Sequence, residues 1–263
     1  MSGADATRAL PRRAAGWLRH ALRRAGWALE DRRLGAEQAR GELGRAHRRW
    51  RGNSVAANRS WWDRYDWSGG GEEWSASPEW QAALVEGVLE RLVPADAAVL
   101  EIGPGAGRWS VALAARARSL VLVDVSTAAL EHSRERIGEL PAVSYIQGSG
   151  CDLPGVPDAS IDAIWSFDVF VHVAPLDVAG YLEEIARVLR PSGVAVLHHA
   201  DGRNRGRIPS RHGYRAPMSR GLLAALAAER GLTVEAQLER WGPDGRFDLA
   251  AYGDVISVLR NMD

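Results

Sequence analysis

The feature that most limits what this 263-residue chain can fold into is an apolar run that stops at a glycine cluster. Ala98-Val99-Leu100-Glu101-Ile102 leads directly into Gly103-Pro104-Gly105-Ala106-Gly107, and a helical pattern follows over 108–117. A short run that is apolar at consecutive positions reads as a strand buried on both faces, which belongs to a parallel sheet covered by helices. Glycines at its end permit a tight reversal and a close approach of ligand to backbone. The same alternation recurs downstream. Strands are expected at 97–102, 119–124, 143–147, 161–166, 193–199, 233–240 and 252–260, with helices at 78–92, 108–117, 127–138, 178–190 and 219–230. Ser77 is the expected N-cap of the helix at 78–92, with Pro78 at its first position. The pattern predicts an α/β fold, a doubly wound, mostly parallel sheet of seven strands. No helix separates the last two strands, and Gly242, Pro243 and Gly245 in their connection suit an antiparallel return.

Charge and aromatic content divide the chain into three zones: a basic helical extension (1–51), a Trp-rich segment (52–81) and the α/β domain (82–263). The first zone holds thirteen arginines against five acids, although the whole chain has zero net charge and no lysine. Its Trp17, Leu18, Ala21, Leu22, Ala25 and Leu29 recur at helical spacing. Two readings stay open: peripheral membrane contact through 8–34, or packing on the chain's own domain or on a second subunit in a homodimer. No apolar run is long enough to cross a bilayer, and arginines interrupt every short apolar stretch from Leu10 to Leu34. The single cysteine, Cys151, cannot form an intrachain disulfide, so a cytoplasmic location is expected.

The glycine turn narrows the ligand. Dinucleotide folds use G-x-G-x-x-G, but the third position of that spacing is Arg108 here, and the pattern is G-x-G-x-G. Asp124 ends the second strand, Leu120-Val121-Leu122-Val123-Asp124, where a carboxylate can accept hydrogen bonds from both hydroxyls of a ribose. Val99 to Trp109, Asp124 and the stretch Ser160 to Asp168 together resemble the class I S-adenosylmethionine-dependent methyltransferase superfamily, with its Rossmann-like domain. Residues 82–260 match its order of elements. The segment from Tyr65 to Trp74, taken with Phe167-Asp168-Val169-Phe170-Val171-His172, resembles a bacterial subgroup associated with sugar and surface-glycan methylation.

The resemblance implies S-adenosyl-L-methionine as cofactor. Glu101 and the turn with Gly103, Gly105 and Gly107 would face its methionine portion, Asp124 its ribose and Val125 its adenine. Ser149 stands where the family usually has an acid for the adenine amino group, and Asp152, three residues on, is the expected substitute. Ser166 would close the fourth strand beside the transferring methyl.

Methyl transfer to a hydroxyl requires an aligned acceptor and a base. Histidine suits the second task, and the candidates are His199, at the end of the fifth strand, and His172, after the fourth. Adjacent His198 and His199 point to opposite faces of a strand, so at most one faces the cleft. No metal-ligand spacing is recognisable, and no metal is expected. Tyr65, Trp67, Trp74 and Phe170 are candidate acceptor contacts. Six of the chain's eleven tryptophans fall within 50–80, and such flat faces stack on sugars or attract a sulfonium. Arg203 and Arg207, in an arginine-rich loop after the fifth strand, suit an anionic acceptor. The expected activity is O-methylation of a sugar or glycan precursor. The alternatives are methylation of a natural-product oxygen or nitrogen, and a non-catalytic cofactor-binding subunit. A nucleic-acid target is not expected, because no base-flipping motif follows the fourth strand.

Overall fold

The computed structural model describes residues 53–202, 215–249 and 252–262. The basic extension, with its membrane and second-subunit readings, and Arg203 and Arg207 lie outside the described residues. Seven strands form one sheet in the order β3-β2-β1-β4-β5-β9-β6. These are β1 (Ala98–Ile102), β2 (Ser119–Asp124), β3 (Val143–Gln147), β4 (Ile161–Phe170), β5 (Leu189–Ala200), β6 (Leu232–Leu238) and β9 (Asp254–Asn261). All pairings are parallel except those of β9, which runs antiparallel to both neighbours. This is the expected sheet, including the antiparallel return. The return carries a small hairpin of its own, β7 (Arg240–Trp241) with β8 (Phe247–Asp248).

Helices cover both faces. The first, α1 (Val55–Trp62), precedes the sheet and is capped by Ser54, whose side chain accepts from Ala57 N. Next, α2 (Pro78–Leu84) starts as its sequence dictates, with Ser77 accepting from Trp80 N at 3.2 Å. It continues through a π turn (Val85–Leu89), which the apolar periodicity did not disclose. The others are α3 (Ser110–Ala114), α4 (Thr127–Ile137), α5 (Pro175–Val188) and α6 (Arg220–Ala228). Strand alternation sorts the core into two layers. Leu100, Ile102, Ile164 and Leu197 pack with Leu182 and Ile185 of α5. Val99, Trp165, Phe167 and Val196 pack with Trp80 of α2, Trp109 and Leu113 on the other face. Trp165 is fully buried, and removing a side chain of that size from a core costs about 3–5 kcal/mol.

At the amino edge of the sheet Asp162 is a clamp, not a site. It accepts from Ala98 N at 2.7 Å and pairs with Arg118 and Arg190. The opposite edge is where strand order reverses between β1 and β4, the crevice in which open α/β sheets bind ligands. There β4 runs past its expected end at 166. A register shift separates Ser166 from Phe170, and Asp168 within it has φ +63°. A left-handed aspartate inside a strand is locally unfavourable, and the surrounding bonds must hold it there.

Candidate active site

One cleft opens along this edge and encloses about 1400 Å³, counting the solvent at its mouth. Its first wall is the glycine turn. Gly103 has φ +71°, and a Cβ there would lie 2.3 Å from the Val169 side chain. Gly105 has φ +57°, and its Cβ would lie 2.8 Å from the Trp67 ring. Both positions exclude side chains, leaving bare backbone facing the cleft. Gly107 closes the turn by donating to Pro104 O at 2.9 Å, and it does not line the cleft.

Asp124 faces the turn from the tip of β2. Its carboxylate accepts from Ser126 N at 2.9 Å and from Gly105 N at 3.3 Å. Burial pushes this carboxyl up to about 6, while the backbone donors of Ser126 and Gly105 pull the other way. Val125 lines the cleft beside it. Glu101 lies buried at the foot of the turn. One oxygen accepts from Ser110 Oγ at 2.5 Å and the other, Oε1, has no hydrogen-bond partner among the described residues. Burial pushes Glu101 up to about 8. An orphaned buried carboxylate oxygen and a Cβ-free turn fit the ammonium and carboxylate of an amino-acid moiety, and Asp124 fits a ribose diol.

Residues 53–75 form a strap across the cleft. Asn53 and Asn58 donate to His172 O at 2.9 and 3.0 Å, and Arg59 donates to Gly148 O at 3.2 Å. On the far side, Arg136 of α4 holds Gly70 O at 2.9 Å and Glu72 at 2.6 Å. Between these anchors, Trp62, Tyr65, Trp67 and Trp74 pack with ring centroids 5.0–5.8 Å apart. Tyr65, Trp67 and Trp74, the expected acceptor contacts, line the cleft.

The floor beyond the turn is a buried charge network. Asp168 pairs with Arg108 and lies 3.2 Å from His198 Nδ1. The other nitrogen of His198 is 3.5 Å from Asp254, which Arg215 holds at 2.9 Å. Burial pushes Asp168 up, but Arg108, His198 and Arg215 outweigh it and hold the carboxyl far below its usual range. Burial likewise opposes a charge on His198, and the Asp168 and Asp254 carboxylates overcome it and raise the ring. His172 also lines the cleft, with Nε2 3.5 Å from Arg215 Nη1 and an edge contact to Trp62.

Several expectations need correction. His199 does not line the cleft. It is fully buried between β5 and β9, with Nε2 on Ser257 Oγ at 2.8 Å, and burial pushes it down to about 4. His198 is the member of the pair that faces the cleft, because it shares the face of Val194 and Val196. Phe170 is core, packed edge-on against Tyr181 at 5.2 Å. Ser166 donates to Ile102 O at 2.8 Å and ties β4 to β1 beneath the surface. Ser149 N–H donates to Asp152 Oδ1 at 2.8 Å, and neither residue lines the cleft, whereas Gly150 between them does. Arg108 and Asp254 were not among the expected site residues, whereas Asp168 closes the fourth-strand stretch and Arg215 belongs to the arginine-rich loop expected beside the acceptor. Asp254 opens β9, whose pairing with β5 sets it opposite Ala200. Among the described residues, no cluster of His, Cys, Asp and Glu is arranged to hold a metal.

Comparison with known proteins gives one domain assignment. A family model described as a methyltransferase domain matches residues 100–197. A demethylmenaquinone methyltransferase of Clavibacter sepedonicus is 35% identical over 100 residues, 38% of this chain and 39% of that protein. The match therefore spans well under half of the curated relative. Among solved structures, the N-methyltransferase NodS of Bradyrhizobium japonicum, bound to S-adenosyl-L-homocysteine, superposes with TM-score 0.59 at 17% identity. It covers 80% of this chain and 99% of that one. A putative methyltransferase of Haloferax volcanii, solved with its Trm112 activator, gives TM-score 0.58 at 20% identity, over 77% and 98%. At these identities the structures share the fold.

Proposed function

We propose that this chain, whose residues 100–197 match a methyltransferase domain, transfers a methyl group from S-adenosylmethionine to a hydroxyl of a sugar or glycan precursor. One observation carries the reading: a single cleft joins the glycine turn and Asp124 to polar side chains at the tips of β4 and β5. The cofactor supplies an electrophilic methyl on sulfur, so the protein's share is alignment, desolvation and proton removal. The Gly103–Gly107 backbone and Glu101 hold the amino-acid end, and Asp124 accepts from the ribose hydroxyls. The aromatic strap excludes water and offers π faces to the sulfonium and to an acceptor ring.

His172 is the base in this reading. Its ring lines the cleft, where a ring nitrogen is placed to take the acceptor's proton, and Nε2 lies 3.5 Å from Arg215 Nη1. His198 sits between the Asp168 and Asp254 carboxylates, and its Nδ1 accepts from Asp168 N–H at 3.1 Å, so it is bound into the floor rather than presented to a substrate proton. Replacing His172 with Ala should lower kcat about a hundredfold and remove the acidic limb of the pH–rate profile. An unchanged profile would take the base role from His172.

A second reading has an observation of its own. Trp80, Trp109, Phe167 and Leu249 give the cleft an apolar wall, which suits a phenolic or quinol ring. The curated relative's name, demethylmenaquinone methyltransferase, fits an acceptor of that kind. Arg215, the described member of the arginine-rich run, supports an anionic group on either acceptor. Labelled cofactor incubated with free sugars, sugar phosphates and phenols separates these readings by which class becomes labelled.

A further inference from the structure

The wall of the cleft beyond Asp124 carries an acid with no place so far in the binding or the chemistry. Asp177 lies in the first turn of α5, is 5% exposed, and lines the cleft with Val125, Gly150, Val173 and Tyr181. Among the described residues, no hydrogen bond or ion pair reaches its carboxyl. Its neighbourhood is fixed from the far end of the same helix. Glu184 accepts from Leu153 N at 3.1 Å, and Arg187 donates to Leu153 O at 3.1 Å and Val156 O at 2.7 Å. Thus α5 lies along the loop that follows β3, and its first turn reaches the cleft beside Gly150. Tyr181, one turn on, lines the same cleft as Asp124 and Asp177.

A partnerless buried carboxyl is costly, and it lowers that cost by keeping its proton. Burial alone pushes Asp177 up to about 7. In the protonated form it presents an O–H donor and a carbonyl acceptor side by side. With the sulfonium end held at the glycine turn and the ribose at Asp124, the base of the cofactor would face the end of the cleft lined by Val125, Gly150 and Asp177. An aminopurine edge offers the complementary pair, an exocyclic N–H donor beside a ring-nitrogen acceptor.

We propose that Asp177 reads the adenine of the cofactor, accepting from its exocyclic amine on one oxygen and donating to the adjacent ring nitrogen from the other. The assignment rests on the reading that this cleft holds S-adenosylmethionine. It moves recognition of the base from the loop after β3, where Ser149 and Asp152 satisfy each other, to the first turn of α5.

The test compares S-adenosyl-L-homocysteine, by calorimetry, with the analogue whose base is unsubstituted purine. That analogue has a hydrogen in place of the exocyclic amine and keeps the ring nitrogen, so it lacks the donor that one oxygen of Asp177 accepts from. Wild-type protein should bind the adenosyl form at least about tenfold more tightly, since the missing amine leaves a buried acceptor unsatisfied. Asp177→Leu should bring the two affinities within about twofold of each other. Asp177→Asn should keep the preference, because an amide offers the same donor and acceptor. Asp124→Ala should weaken both ligands and leave their ratio intact. Asp177→Ala is read in the same way as the leucine variant if that one does not fold. A wild type without preference, or a folded leucine or alanine variant that keeps it, would overturn the assignment. A wild type that binds neither ligand would overturn the cofactor reading itself, and this assignment with it.

Discussion

Asp124 works in two directions at a single strand tip. Its carboxylate accepts backbone donors from Ser126 and Gly105, which fix its rotamer, and it faces the cleft with the lone pairs that remain. Asp124→Ala should therefore lower affinity for S-adenosyl-L-homocysteine by more than about tenfold, the scale of one lost charge-assisted hydrogen bond. Burial raises this carboxyl to about 6, so affinity should also fall as pH drops through that value, and a calorimetric titration between pH 5 and 8 checks it. Gly103→Ala tests the turn. At φ +71° with Val169 in the way, a methyl group costs a left-handed backbone and a displaced strand residue together. The variant should melt at a lower temperature than wild type and bind the cofactor poorly. These residues were legible because their chemistry is local, a turn needing glycine and a strand tip needing an acid. His198 was not, since alternation says that adjacent histidines diverge but not which face carries the cleft. Asp177 was hidden for a different reason: an acid in a first helical turn is what the helix dipole alone would favour.

Among the elements, β1 and β2 matched their sequence reading because strands buried on both faces leave an unbroken apolar signature. The extension of β4 to Phe170 went unseen because Asp168 breaks that signature, and its left-handed backbone is held by Arg108 and His198 from other elements. The density of tryptophan set this segment apart, but its course across the cleft depends on distant carbonyls at His172, Gly148 and Gly70. Trp67 packs with Ala106 and Ala129 over the turn, and Trp67→Ala should destabilise the protein by about 3 kcal/mol, measured by urea unfolding. If the strap roofs a bound cofactor, saturating S-adenosyl-L-homocysteine should slow tryptic cleavage after the exposed Arg64 several-fold. Equal cleavage with and without ligand would remove the strap from the binding site.

Across the whole molecule, buried acids set how stability changes with pH. Glu101 and Asp177 hold protons to about 8 and about 7, whereas in the unfolded chain they release them near 4. Between those limits the folded state binds more protons, so its stability falls as pH rises. His198, raised by its carboxylate partners, adds to the fall above its unfolded value, while His199, lowered to about 4, acts the other way only below about 6.5. The ligand-free protein should accordingly melt at a higher temperature at pH 6.5 than at pH 8.5. Ligand should narrow the difference, because an ammonium beside Glu101 and a base on Asp177 relieve both burial costs.

The most direct test of the central claim is calorimetric binding of S-adenosyl-L-homocysteine to wild type and Asp124→Ala, followed by transfer of labelled methyl to the acceptor panel. The account requires one site per chain, a loss of affinity beyond about tenfold in the variant, and acceptor-dependent labelling by wild type alone. Absence of binding by wild type, or equal binding by a correctly folded Asp124→Ala, would contradict it.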